Sequence, residues 1–186
     1  LPKRFVMGFL LQMIRDAELY LTIKTKPSSE QQILLEQLTS VERYWYAELF
    51  PRWLASNDPR FLLWRGKLMA GEYTQNDSQV IRAVAAAVKQ RGGCFWECYI
   101  ADLSMATDLI VGYRQNHPLC IQLTSQSDEY SQQKYQDWQQ TLQNWKIERG
   151  LFLSYNPGEP NFIDQLANLA LHHSDHLEIG TYLKLP

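Results

Sequence analysis

The sequence is short of the features that settle a protein's class at a glance. It has three cysteines in 186 residues, Cys94, Cys98 and Cys120. An odd count, with Cys94 and Cys98 four apart and no second pair, gives neither a disulfide framework nor zinc-ligand spacing. It predicts buried free thiols in a reducing compartment, hence a cytoplasmic protein. No run of eighteen apolar residues is present, so no membrane span and no membrane partner are expected. The apolar stretch 7–11 lies inside a longer amphipathic pattern carrying charges, unlike a signal peptide. There is no P-loop, no G-x-G-x-x-G and no G-x-S-x-G, and Ser125 and Ser154 have no nucleophile motif around them. Internal repeats are absent. A net charge of −2 argues against a purely basic nucleic-acid arm. The chain opens on Leu1, as a processed product or the end piece of a larger protein would.

What is present supports a packed core: 45% of residues are hydrophobic and 12% aromatic. Charge is uneven, with ten Lys/Arg against seven Asp/Glu in residues 1–70, and eight against thirteen in 71–186. Apolar residues at spacings of three and four (Phe5, Phe9, Leu10, Met13, Ile14, Ala17, Leu21) predict a well-buried helix over 3–24, stopped before Pro27. Ser28 with Gln31 predicts a capping box opening a second helix. That helix carries Leu34, Leu38, Val41, Trp45 and Leu49 on one stripe and is kinked or restarted at Pro51. Residues 61–69 form a short apolar segment. The polar stretch 70–77 is the candidate boundary between an N-terminal helical region, 1–70, and a second region, 71–186.

Beyond that boundary the periods change. A helix capped by Asp77 or Ser78 runs over 79–90 and is stopped by Gly92-Gly93. Three aromatic and β-branched runs follow, over 94–100, 106–113 and 118–125, each bounded by turn formers and each predicted as a strand. A helix over 127–147, a strand over 151–155, a helix opened by Asn161 and an extended piece over 178–185 complete the order. The fold class this predicts is α/β: a mixed central sheet flanked by helices, with an N-terminal helical extension.

The order helix–strand–strand–strand–helix–strand over 78–156 resembles the core of the restriction-endonuclease-like, or PD-(D/E)xK, nucleases. Ala106-Thr107-Asp108-Leu109-Ile110-Val111 looks like the strand carrying that family's Asp. Leu119-Cys120-Ile121-Gln122-Leu123-Thr124-Ser125 looks like the strand carrying (D/E)xK, with Gln122 at the Glu position and Thr124 at the Lys position. The resemblance implies Mg²⁺ as cofactor, nucleic acid as substrate, and Asp108, Gln122 and Thr124 as the catalytic-motif positions.

Hard divalent ions take oxygen ligands, and they polarise a phosphate and lower the pKa of attacking water. A lysine beside them orients that water and offsets developing charge. Period-two geometry puts Gln122 and Thr124 on one face, shared with Asp108. The layout matches; the ligands depart from it, with one carboxylate, one amide and one hydroxyl. The family's accessory helical Glu has no counterpart in 79–90 either. Glu97 or Asp102 is positioned to migrate in, giving Asp108 and Glu97 as the metal-ligand candidates. The expectation is therefore a non-catalytic, degenerate nuclease-like module that contacts nucleic acid or a partner protein, in a defence or DNA-processing assembly. The alternative is an active Mg²⁺-dependent nuclease with a migrated carboxylate.

Two other clusters carry a binding reading beside a structural one. Arg43-Tyr44-Trp45-Tyr46 and Pro51-Arg52-Trp53 interleave arginine with aromatics, as a base-stacking surface would, or as core rings with snorkelling arginines would. His172, His173 and His176, with Asp175, fit either a metal site using His173 and His176 or a helix C-terminus, where histidine suits the dipole.

Overall fold

The computed structural model describes residues 2–72, 77–125 and 128–186. The fold is α/β, built on a five-stranded mixed sheet in the order β1-β2-β3-β4-β5. The strands are β1 (Cys94–Trp96), β2 (Leu109–Gly112), β3 (Leu119–Thr124), β4 (Gly150–Ser154) and β5 (Tyr182–Leu185). The first three form an antiparallel meander, and β4 and β5 each join parallel to the preceding strand. Parallel neighbours need a crossover. Helix α8 (Asp128–Asn144) provides it between β3 and β4, and α9 (Phe162–His176) between β4 and β5.

Alternation along the strands separates two cores. Leu109, Val111, Leu119, Ile121, Leu123, Leu151 and Leu153 point to one face, where they pack with Val84, Ala85, Ala87 and Val88 of α6 (Ser78–Gln90) and Leu166, Ala167, Ala170 and Leu171 of α9. Ile110, Cys120 and Phe152 point to the other face, against Trp138 and Leu142 of α8. That second core also takes in Phe9 of α1 (Pro2–Lys24), Trp45 and Phe50, Trp64 of α5 (Phe61–Ala70), and Ile100 of α7 (Tyr99–Met105). Gly150 is required there: a Cβ would fall 2.4 Å from Leu142 Cδ1 and 2.6 Å from Trp138 Cζ2.

Several local expectations are corrected. The run 94–100 is not one strand: β1 ends at Trp96, Glu97 follows it, and Tyr99 opens α7. Cys98, extended at φ −154°, caps α7 by accepting from the Ala101 N–H at 3.5 Å, and Asp102 in the first turn suits the helix dipole. Asp102 thus stands on a helix. The second N-terminal helix is broken into α2 (Ser28–Glu36), α3 (Ser40–Tyr44), a π-helical turn (Trp45–Leu49) and α4 (Phe50–Ala55). The break lies before Thr39, which makes the capping box with Glu42. Ser28 makes none; Gln31 instead donates to the Lys26 carbonyl at 2.7 Å. Helix α1 is less buried than its pattern implies, with Leu10, Ile14 and Leu21 exposed. Residues 73–76 of the boundary stretch 70–77 and the predicted helix start at Ser127 lie outside the described residues. Cys94, Cys98 and Cys120 are free thiols, Cys98 and Cys120 buried and Cys94 half-buried. Among the described residues no helix is long and apolar enough to cross a membrane.

Candidate functional site

The β2–β3 register fixes the centre of the site. Ile110 pairs with Cys120, and continuing the ladder by two residues sets Asp108 opposite Gln122. The Asp108 N–H donates to the Ile121 carbonyl at 2.9 Å, which holds the residue against β3 just before β2 begins. Ala106, left-handed at φ +48°, ends α7 and turns the chain into this position. Asp108 Oδ2 accepts from Gln122 Nε2 at 2.5 Å and from the Leu123 N–H at 2.8 Å. Asp108 and Gln122 thus stand side by side on neighbouring segments.

Thr124, two residues further along the same face of β3, is fully buried. Its Oγ1 accepts from Lys134 Nζ at 3.3 Å. An ammonium from α8 is therefore brought against β3 at Thr124. Burial raises the Asp108 carboxyl well above the usual carboxylate range; the Asp102 carboxylate adds to the rise, while the Leu123 N–H and the Lys134 ammonium oppose it. Asp102, on α7, is thus the acidic neighbour that weighs most on Asp108. Asp77, before α6, weighs on it too and accepts a hydrogen bond from the Tyr155 hydroxyl, which ties the start of α6 to the end of β4. Beside burial, that acceptor carboxylate helps push the Tyr155 hydroxyl up to about 12.

Asp77, Asp102, Asp108, Gln122 and Lys134 line a cleft of about 740 Å³. Its described lining holds five carboxylates (Asp77, Glu97, Asp102, Asp108 and Asp137) and three basic side chains (Arg60, Arg82 and Lys134), a formal excess of two negative charges. Gln12 of α1 forms part of the wall, and its Oε1 accepts from the Tyr99 N–H at 2.8 Å. Glu97 is exposed at the rim, with Arg82 and Asp102 as its charged neighbours. Among the described residues no three of His, Cys, Asp and Glu form a group that could hold a metal ion by themselves.

Of the residues named from sequence, Asp108 and Gln122 meet, Thr124 lies two residues on along the same face, and Glu97 and Asp102 line the same cleft; Lys134 and Asp77 were not among the site candidates. Lys134 left a signal: it is the only basic residue in α8 and lies four before the buried Trp138, so it shares that helix's inward stripe. Two rings of the arginine–aromatic cluster are closed off from solvent, while Tyr44 and Trp53 are half-buried. Trp45 and Tyr46 are buried and bonded to Asp16. Arg43 donates to the Leu35 and Leu38 carbonyls, and Arg52 to those of Trp145 and Lys146. His173 and His176 do not pair; His176 stacks on His172 instead. No family model, curated protein or solved structure matches the chain.

Proposed function

We propose that this cleft is a divalent-cation-dependent phosphodiesterase site acting on nucleic acid, carried on a restriction-endonuclease-like core. Three features support the kinship: a helix before the meander, an antiparallel β1-β2-β3, and a helical crossover to a parallel β4, with α7 as an insertion between the first two strands. The observation that carries the activity is the meeting of Lys134 with Thr124 beside the Asp108–Gln122 pair. It returns to the site the cation that the strand sequence lacks.

Charge argues for a cation-dependent reading over direct phosphate binding. A lining with an excess of two negative charges repels a polyanion, whereas Mg²⁺ bound through one or two carboxylates takes substrate phosphates as further ligands. Mg²⁺ needs only one or two protein carboxylates beside its waters; Asp108 would be one and Asp102, its foremost acidic neighbour, the other, with Glu97 at the rim. When bound, the ion supplies Lewis acidity toward the phosphate and a lowered pKa for water. The chain's own groups do the rest. Gln122 and the Leu123 N–H both donate to Oδ2 of Asp108, fixing the carboxylate's orientation and leaving Oδ1 for an ion. The Lys134 ammonium, steadied by Thr124, offsets charge on a phosphate oxygen and orients the attacking water. Arg82 and Arg60 give the strand entering the cleft two further phosphate contacts.

A second reading is a non-catalytic module that contacts a protein. It is favoured by the amide at Gln122, where the motif has a carboxylate, and by the lack of a three-ligand group among the described residues. Incubating the purified chain with single- and double-stranded DNA and RNA, in Mg²⁺, Mn²⁺ or EDTA, separates the two. The proposal expects cleavage that needs the ion, is abolished by Asp108→Ala, and falls about 10²-fold or more in Lys134→Ala, the scale of losing one electrostatic stabiliser. Absence of cleavage with every substrate and ion leaves the non-catalytic reading standing.

A further inference from the structure

We propose that the outward face of α1 is the seam of a symmetric homodimer, in which α1 packs antiparallel on its copy about a two-fold axis at Ile14. Most of the large apolar side chains exposed among the described residues lie on α1 and its neighbour α5. Contiguous apolar surface of this kind marks an interaction site. On α1 the exposure has a period. Phe9, Asp16 and Ile23, seven apart, are buried in the body of the protein. Met7, Ile14 and Leu21, also seven apart, are 58%, 58% and 57% exposed. An offset of two residues is about 200° around a helix, so these two rows lie on opposite sides. Leu10 and Leu11 fill the outer row between Met7 and Ile14, and both are exposed. A seven-residue apolar repeat is the pattern of one helix laid along another.

The spacing along this row fits a second copy of the chain. A two-fold axis sets a surface against itself, so that residue i meets j and j meets i. With the axis at Ile14, Ile14 meets its own copy, and Met7 meets Leu21 on either side of it. Leu11 then faces the smaller Ala17, and Leu10 faces Glu18. Antiparallel packing also opposes the two helix dipoles. The area is sufficient. At about 100 Å² for each of the five exposed side chains, the pair buries roughly 1,000 Å² of apolar surface before its rim is counted, the lower bound for a specific interface. A membrane surface fits the row less well, because Glu18 lies on it and is exposed. Its carboxylate would have to leave water there, whereas beside a second helix it stays at the rim. Gln12, on the same helix, lines the cleft, so the pairing joins two clefts through one pair of helices. It does not depend on what the cleft does.

The test is sedimentation equilibrium of the full chain, for wild type, Ile14→Glu, Met7→Glu, Leu21→Lys, the Met7→Glu/Leu21→Lys double variant and, as a control outside α1, Ile179→Glu. All these positions are exposed, so the fold should hold, and far-ultraviolet spectra check that it does. Wild type should dimerise with a Kd on the order of 1 μM. Association should tighten from about 0.05 to 0.5 M NaCl, which screens Arg4 from Lys24 of the other copy at the ends of the pair. Ile14→Glu sets two carboxylates together on the axis and should weaken association at least about 10²-fold. Met7→Glu and Leu21→Lys should each weaken it. The double variant, which sets glutamate against lysine across the seam, should bind at least about tenfold tighter than either single variant. Ile179→Glu should stay within about threefold of wild type. A wild type that remains monomeric up to about 100 μM overturns the proposal. So does a dimer that Ile14→Glu leaves intact, or a double variant weaker than both single ones. A monomer that co-sediments with phosphatidylserine vesicles would give the face to a membrane and equally overturn it.

Discussion

Replacing Gln122 by glutamate restores the carboxylate of the motif and turns the cleft into its own ion detector. In the wild type, Gln122 Nε2 donates to Asp108 Oδ2 at 2.5 Å. Gln122→Glu sets a second carboxylate oxygen in that place. The lost bond, made to a charged acceptor, is worth about 1.5–3 kcal/mol. Two unit negative charges about 3 Å apart repel by roughly 5 kcal/mol at an effective dielectric near 20. The pair avoids that repulsion by holding one proton between its oxygens. Keeping a proton at pH 7 on a group of ordinary pKa about 4.3 costs about 3.7 kcal/mol, partly returned by the hydrogen bond the proton makes. With the discount that partial solvent access demands, the net loss is about 3 kcal/mol in EDTA at neutral pH.

The sign with pH follows from the raised carboxyl. Burial and Asp102 already lift Asp108 above the unfolded value, so its favourable contribution is complete below that value and is lost as pH rises through the folded pKa. A second carboxylate beside it, in Gln122→Glu, would widen this gap, so the variant's deficit should shrink as pH falls from about 8 to about 5. A bound divalent ion removes the repulsion directly, so millimolar Mg²⁺ should recover most of the loss and leave the wild type much less affected. Urea melts in EDTA and in Mg²⁺ at both pH values measure all of this. A variant as stable as wild type in EDTA, or one indifferent to Mg²⁺, would refute the reasoning about the cleft's charge.

Two further predictions test the frame that holds the site. Arg149 is buried and donates to the carbonyls of Leu177, His117, Pro118 and Ser174; Arg149→Met leaves those acceptors unpaired and should cost about 3–5 kcal/mol by urea denaturation, with Arg149→Lys intermediate. Gly150→Ala drives a methyl into Leu142 and Trp138, and over-packing of this kind should cost about 1–3 kcal/mol, read as a lower thermal midpoint with the far-ultraviolet spectrum unchanged.

Period was the most legible feature of the sequence. Alternation in 119–124 put Gln122 and Thr124 on the face opposite Leu119, Ile121 and Leu123, and the register shows that division. The mixed sheet with its helices followed from the order of the runs. What could not be read came from contacts between distant segments. Lys134 reaches Thr124 from a different element, and no strand motif carries it. The run after Trp96 kept its aromatic, strand-like composition yet coiled into α7, because Ile100 and Leu103 bury one turn apart in a segment packed against α1 and α5. The apolar stripe 34–49 hid a break, since a Thr39–Glu42 cap inside it competes with a continuous helix. Arg43 and Arg52 looked like exposed cations, but the structure uses them on backbone carbonyls.

The proposed function requires a divalent ion before the cleft can hold phosphate, with Lys134, Arg60 and Arg82 adding contacts to it. Fluorescence anisotropy of a labelled single-stranded oligonucleotide tests it, with wild type and Asp108→Ala compared in Ca²⁺, a hard oxygen-seeking ion, and in EDTA. The account predicts binding by wild type in Ca²⁺, little in EDTA, and none recovered by Ca²⁺ in Asp108→Ala. Equal binding in Ca²⁺ and EDTA, or binding that survives Asp108→Ala unchanged, would contradict it.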